Sequence, residues 1–319
     1  MEKTIFCTYF DKYYLIKGLA LYFSFRRFNP DYSLWILCMD AYTKKVLKKL
    51  HLKNVRLITL LDFEDKYLLK AKRSRNKIEY YWTCTSSLPL YVFKKEKNVD
   101  LVFYLDADLF FYSSVKPVID EFAKKSIYVV EHRYPKEMEY RNSVSGRFNV
   151  GILGFRRNNE GLECLKRWKK QCLRWCYWRE EDGKMGDQLY LNEWPTRYSN
   201  IIISKHLGIN AAPWNIGWLT IKCQKKSVFI QSYPLIIYHY HQFRIFRFNS
   251  FSLSEGYELP KIVITNIYKP YIKQINQNIQ ILKEIDPNFH YFDKKEKDSL
   301  LKKMPNVARI LKKIKVVAL

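Results

Sequence analysis

Asp100-Leu-Val-Phe-Tyr-Leu-Asp-Ala-Asp-Leu-Phe-Phe-Tyr112 is the stretch on which the reading of this chain turns. Leu101 to Leu105 is an uninterrupted apolar run of strand length, and it ends in acid. In extended chain, residues two apart face the same way, so Asp106 and Asp108 converge on one point. Two carboxylates in a largely apolar setting are costly unless something positive compensates them. A divalent cation does so most directly, and the small Ala107 between them lets a ligand approach the backbone closely. The competing account is a pair that caps the next turn or bonds to a nearby Arg or Lys.

Outward from this stretch, short apolar runs alternate with longer helical patterns over roughly the first 240 residues. That rhythm predicts an α/β layered domain with a mostly parallel central sheet flanked by helices. Thr4 to Tyr9, Leu34 to Met39 and Val55 to Leu60 read as strands, with helices over Tyr13 to Phe25 and Thr43 to Leu50. Ile78 to Lys94 reads as a helix that Pro89 kinks or divides. Further strands are expected at Ile127 to Glu131, Phe148 to Phe155 and Leu235 to His241, and helices at Gly161 to Trp178 and Asp187 to Glu193. From about residue 261 the character changes to a polar helix, Tyr271 to Glu284, followed by a basic stretch. The expected division is therefore an α/β domain over 1–260 and a helical, basic C-terminal extension over 261–319.

Composition sets the outer limits. With 56 Lys plus Arg against 31 Asp plus Glu, the formal net charge is +25, which suits an anionic partner: nucleic acid, a phosphorylated substrate or an acidic membrane face. Only 10 Gly and 11 Pro exclude collagen-like and Gly/Pro-rich disordered classes. The seven cysteines are odd in number, form no CxxC pair and mostly sit in apolar stretches, so reduced, buried thiols are expected. No signal peptide is visible, because Asp11, Lys12 and Lys17 interrupt the first apolar region, and no run reaches the ~18 apolar residues of a membrane span. The expectation is a cytoplasmic protein, peripheral to the inner membrane if its last residues bind there. Asn306 to Leu319 place Val307, Ile310, Leu311, Ile314 and Val317 on one helical stripe with basic residues opposite, the pattern of a helix on an anionic bilayer or of a terminal helix packed on its own domain.

Tyr104-Leu-Asp-Ala-Asp-Leu-Phe110 resembles the metal-binding DxD motif of GT-A fold glycosyltransferases, and three further segments follow in the order such enzymes show. Phe148-Asn-Val-Gly-Ile-Leu153 resembles the FNxG strand of family 8 glycosyltransferases, and Gly186-Asp-Gln-Leu-Tyr-Leu-Asn192 their DQxxLN helix start. His239-Tyr-His-Gln242 sits where they carry an HxxG segment whose histidine binds the metal. Trp82 to Pro89 and Ala211 to Asn215 are similar to segments of bacterial nucleotide-diphospho-sugar transferases. The resemblance spans about residues 4 to 245 and departs in two places. Gln242 replaces the glycine, leaving open whether His239 or His241 is the ligand, and the KPW segment of many members gives way to Phe243 to Arg247, so that diphosphate contacts shift to Arg244 or Arg247.

The resemblance implies a metal-dependent glycosyltransferase of the hexosyl type. It would move a sugar from a nucleotide-diphosphate sugar, most plainly a UDP-sugar, to a glycan or lipid-linked acceptor in bacterial surface polysaccharide or lipopolysaccharide synthesis, with retention of configuration. Mn²⁺, or Mg²⁺, would be held by Asp106, Asp108 and one of His239 and His241, since carboxylate oxygen plus imidazole suits these ions. Thr8 and Tyr9 would cradle base or ribose and Asp40 would bond the base, at the strand ends where open α/β sheets bind ligands. A strand-end cap and a core aromatic are the alternatives. Arg75 would hold diphosphate or sugar, against an exposed arginine at a helix start. Asp187 and Gln188 would lie beneath the donor sugar with Asn149 beside them, although Asp187 equally suits an ordinary N-cap. His206, Trp214 and Asn215 would line the acceptor pocket, against Trp214 as a core residue; Trp82, Trp175, Trp178 and Trp194 are expected to pack.

A nucleic-acid-binding protein is the rival from another class, but the basic residues are dispersed and no recognition motif for nucleic acid is present. Dehalogenase-type phosphatases carry their DxD on the first strand, and nucleotidyltransferases, dinucleotide folds and P-loops need glycine signatures missing here.

Overall fold

The computed structural model describes residues 2–225, 227–293 and the backbone of 316–318. The chain opens with β1 (Thr4–Phe10), α1 (Leu15–Phe28), β2 (Ser33–Cys38), α2 (Ala41–Lys49) and β3 (Val55–Thr59), three parallel strands joined by helical crossovers. Four short helices follow, α3 (Leu60–Phe63), α4 (Lys66–Arg73), α5 (Lys77–Thr85) and α6 (Leu88–Lys95). The helical run around Pro89 is divided rather than kinked. Pro89 lies in the first turn of α6, where its missing N–H costs nothing. An Asn76–Glu79 capping box starts α5.

β4 (Leu101–Leu105) and β5 (Leu109–Phe111) flank the acidic turn, and α7 (Lys116–Phe122), β6 (Ile127–Glu131), β7 (Phe148–Arg156) and α8 (Asn159–Arg174) come next. The remaining elements are short: α9 (Trp194–Arg197), β8 (Ile201–Ile203), β9 (Ile209–Ala211), α10 (Pro213–Ile216) and the hairpin strands β10 (Ile221–Gln224), β11 (Ser227–Ile230) and β12 (Tyr233–Pro234). After them come β13 (Ile237–His239), β14 (Arg244–Phe246), β15 (Ser250–Ser252), α11 (Lys261–Val263), α12 (Lys269–Ile285) and β16 (Val316–Ala318). The expected helix from Asp187 is a 3-10 turn over Leu189–Glu193.

The main sheet runs β3-β2-β1-β4-β7-β6-β8. It is mostly parallel, as the sequence predicts, with β7 the strand that runs against both neighbours. Along β4 the side chains alternate between two buried layers. Leu101, Phe103 and Leu105 pack with α1, α2 and α7, and Val102 and Tyr104 pack with α5, α6 and α8. A smaller sheet, β5-β13-β9, lies beyond the end of β4.

α12 does not stand apart from this core. Tyr271, Ile272, Ile275 and Leu282 are buried in the same layer as α1, and Asn278 Nδ2 donates to the Ile16 carbonyl at 2.9 Å. Within the predicted C-terminal amphipathic helix, residues 306–315 and 319 lie outside the described residues. Val316–Ala318 are extended and pair antiparallel with β15. All seven cysteines are free; six are buried, and Cys223 is exposed on the edge of β10, contrary to expectation. No helix among the described residues is long and apolar enough to cross a membrane.

Candidate active site

Strand register builds the site. β4 ends at Leu105, and the Asp106 N–H donates to the Gly151 carbonyl of β7 at 2.9 Å, which fixes where the acidic turn leaves the sheet. β5 then pairs with β13 so that Leu109 faces His239, and the Tyr240 N–H donates to the Asp108 carbonyl at 2.9 Å. Asp106, Asp108 and His239 are thereby brought together, with one ligand atom of each lying within 4.8 Å of the others. His239 Nε2 is 3.1 Å from Asp108 Oδ1 and 3.9 Å from Asp106 Oδ2. Donors bound to one ion at about 2.1 Å stand roughly 3–4 Å apart. The spacing and the O, O, N donor set thus fit a single hard or borderline divalent cation.

The surroundings orient each ligand. His239 Nδ1 lies 3.2 Å from Asn210 Oδ1, an arrangement in which Nδ1–H donates and Nε2 is aimed at the carboxylates. Tyr104 Oη donates to Asp106 Oδ1 at 2.7 Å. Gly151 is required by this geometry: a Cβ there would lie 2.5 Å from Asn149 Oδ1 and 2.8 Å from His239 Nδ1. Ala107 is buried between the two acids. The two carboxylates keep 30% and 13% of their side-chain surface, so the triad is not sealed from solvent.

The charges are strongly coupled. The dense protein around Asp106 pushes its carboxyl up to about 6, with His239 opposing and Asp108 adding to the rise. Burial also opposes charge on Asp108, but His239, its hydrogen bond and Lys17 outweigh it and hold that carboxyl below the usual range. His239 is raised in turn: burial disfavours its charged form, and the Asp108 carboxylate more than compensates. Asp187, buried next to this group, is pushed up to about 7 by burial; a hydrogen bond with Thr85 works against the shift and the Asp106 charge adds to it.

The two candidate histidines separate cleanly. His241 lies outside the Asp106–Asp108–His239 group, with its ring against Trp214 at 5.3 Å, and burial pushes its imidazole down to about 4. Asn149 and Gln188 are joined to each other. Gln188 Oε1 accepts from Asn149 Nδ2 and from the Val150 N–H, both at 3.1 Å, and its Nε2 donates to the Ser145 carbonyl at 2.6 Å. The Gln188 amide thus ties β7 to the loop that overhangs it.

Near the end of β1, Tyr9 Oη lies 3.0 Å from Thr85 Oγ1, and its ring sits by Tyr81 and Tyr104. Thr8 is buried, and its hydroxyl has no hydrogen-bond partner among the described residues. Asp40 caps α2 through the Thr43 N–H at 2.6 Å and accepts from the Lys12 N–H at 2.9 Å. Arg75 is turned toward the protein, donating to the Thr83 hydroxyl and, at 2.9 Å, to the Leu173 carbonyl.

Trp214 and Asn215 act as braces. Trp214 is 3% exposed; its Nε1 and the Asn215 Nδ2 both donate to the His132 carbonyl at 2.8 Å. Trp214 packs against His239 and His241 and presents no face to a sugar. His206 is half-buried with its ring against Tyr233. Trp178, expected to pack, is instead 59% exposed and lies against Trp82, whose ring runs under Gly186.

Several residues of the site carry no signal in the sequence. Asp11 is buried and accepts from Tyr81 Oη at 3.1 Å while pairing with Lys77 at 2.5 Å. Asn210, which holds His239, sits in a short strand at positive φ. His132 is buried beside Asn149. Only their tertiary neighbours mark them.

No family model matches the chain. It is 30% identical over 298 residues to the uncharacterized protein YfnF of Bacillus subtilis strain 168, covering 91% of this chain and 98% of that protein. It is 29% identical over 288 residues to the uncharacterized protein YfnD of the same organism, covering 89% and 92%. Among solved structures it resembles the bifunctional glycosyltransferase WbbM in its apo form, with a TM-score of 0.52 and 15% identity over 88% of this chain and 51% of that one. It also resembles the galactosyltransferase LgtC in complex with donor and acceptor sugar analogs, with a TM-score of 0.51 and 13% identity over 85% and 95%. At such identities the likeness is one of fold, and the fold is GT-A.

Proposed function

The chain belongs to the family of Bacillus subtilis YfnF, and we propose that it is a metal-dependent glycosyltransferase of the hexosyl type. It would move a sugar from a nucleotide-diphosphate sugar, with UDP as the first candidate carrier, to a glycan or lipid-linked acceptor of a bacterial surface polysaccharide. The observation that carries this reading is the Asp106, Asp108 and His239 triad, partly solvent-accessible at the end of β4 in a GT-A sheet.

Glycosyl transfer requires stabilisation of a departing diphosphate while the sugar carbon gains positive character. Mn²⁺, the ion we assign to this donor set, supplies that stabilisation as a Lewis acid when bound. The protein's part is to hold the ligands in place. Asn210 fixes the imidazole, Tyr104 fixes Asp106, and the β5–β13 pairing fixes Asp108. Asp187, Asn149 and Gln188 would form the wall on which the donor sugar rests, with Asp187 changing charge around neutral pH. Tyr9, Asp11 and Tyr81 line the nucleotide end.

The resemblance to family 8 supports retention of configuration, and no nucleophile is assigned. For the acceptor, the exposed Trp178 offers an apolar face suited to sugar C–H surfaces, whereas Trp214 is occupied. The net charge of +25 suits work at an anionic cytoplasmic membrane face, where lipid-linked acceptors reside.

The test is a thermal-shift panel of nucleotide sugars with and without Mn²⁺, followed by turnover of the best binder. A ligand that binds the native state raises its midpoint. Asp108→Asn should abolish Mn²⁺-dependent hydrolysis or transfer while the metal-free melting temperature stays within a few degrees of wild type. Unchanged turnover would contradict the reading.

A further inference from the structure

We propose that Lys17 is the cation that holds the diphosphate of the donor beside the metal site; this rests on the glycosyltransferase reading above. The helix that carries it is set against the acidic turn. Ser24 Oγ accepts from the Phe111 N–H at 3.0 Å, and the Phe25 ring meets Phe111 edge-on at 5.2 Å. Gly18, next to Lys17, packs on the Phe10 ring at the end of β1, and β1 runs beside β4 with Cys7 opposite Tyr104, so Lys17 lies at the end of the sheet from which the acidic turn leaves. Electrostatics agree, since Lys17 helps to lower the Asp108 carboxyl and also disfavours charge on His241.

Lys17 is only 4% exposed. Its Nζ lies 4.4 Å from the centre of the Tyr14 ring, and among the described residues it forms no ion pair within 4 Å. Asp108, whose charge Lys17 helps to stabilise, is already hydrogen-bonded to His239, which leaves the ammonium open to an incoming anion. Loading the triad with a cation commits Asp108 further and adds positive charge beside Lys17. An anion delivered to the same place relieves both, and a diphosphate supplies two adjacent charged groups with oxygens for an ammonium to meet.

Of the arginines expected for this task, two are engaged elsewhere and the third is exposed. Arg244 pairs with Glu255 at 3.1 Å, Arg75 is bonded to Thr83 and to the Leu173 carbonyl, and Arg247 faces solvent.

The experiment is calorimetric titration of the full chain, at saturating Mn²⁺, with UDP, GDP, CDP and ADP, and then with the monophosphate of whichever nucleoside binds best. Lys17→Met should weaken the diphosphate at least tenfold and the monophosphate by no more than about threefold. Lys17→Arg should recover much of the loss, and Mn²⁺ affinity without nucleotide should be unchanged or higher in Lys17→Met. Diphosphate affinity within twofold of wild type in Lys17→Met overturns the proposal. So does a parallel loss of Mn²⁺ affinity, which would make Lys17 a prop for the metal ligands. A wild-type chain that binds Mn²⁺ but none of the four diphosphates overturns the glycosyltransferase reading, and this inference with it.

Discussion

Asp187 shows how a single side chain ties stability to pH. Its carboxyl titrates near about 7 in the folded chain and near about 3.9 when unfolded. Between those values the folded state retains a proton that the unfolded state has released, so folding stability falls as pH rises from about 4 through 7. The span of roughly three units sets an upper limit of about 4 kcal/mol. Asp187→Asn removes the titration. In metal-free protein its melting temperature should exceed wild type by several degrees at pH 8 and by much less at pH 5, measured by circular dichroism. Equal offsets at both pH values would show that Asp187 is already solvated in the folded state. The residue is legible in the sequence as a candidate, because aspartate after Gly186 and before Gln188 matches a known pattern. Its raised titration is not, since burial in the folded chain and the charge of Asp106, far away in the chain, produce it.

At the scale of elements, the pairing of β5 with β13 and the close approach of β7 decide which histidine meets the acids. The sequence shows both histidines on one face of a strand and no means of choosing. The choice follows from register: Leu109 opposite His239 puts that ring, and not His241, beside Asp108. Gly151 makes the contact possible. Gly151→Ala would place a methyl group where Asn149 Oδ1 and the His239 ring now lie, and overpacking of this kind typically costs about 1–3 kcal/mol. The expected outcome is a lower urea midpoint together with at least tenfold weaker Mn²⁺ binding. Unchanged metal affinity would mean that β7 and β13 have more freedom than the packing indicates. The strands themselves are legible because buried apolar runs bounded by polar residues leave little alternative. The antiparallel course of β7 is not, because alternation is the same in either direction.

For the whole molecule, the order of the four motifs between Tyr104 and Gln242 is readable because each carries side chains whose chemistry restricts their surroundings. The C-terminal region is harder, since its polar composition suggests an extension while the stripe Tyr271, Ile272, Ile275 and Leu282 is buried against α1. Asn278 sits within that stripe and bonds to the Ile16 carbonyl, which makes α12 a support for the helix bearing Lys17. Asn278→Ala should lower stability by about 1 kcal/mol, seen as a shift in urea midpoint without loss of helix signal. No shift would indicate that α12 docks through its apolar residues alone.

The account stands on one cation held by Asp106, Asp108 and His239. Calorimetric titration of Mn²⁺ into wild type, Asp108→Asn, His239→Ala and His241→Ala tests it most directly. The account predicts one ion per chain in wild type and in His241→Ala, and a loss of at least tenfold in affinity in Asp108→Asn and His239→Ala. Wild-type affinity in Asp108→Asn, or no binding in wild type, would contradict it.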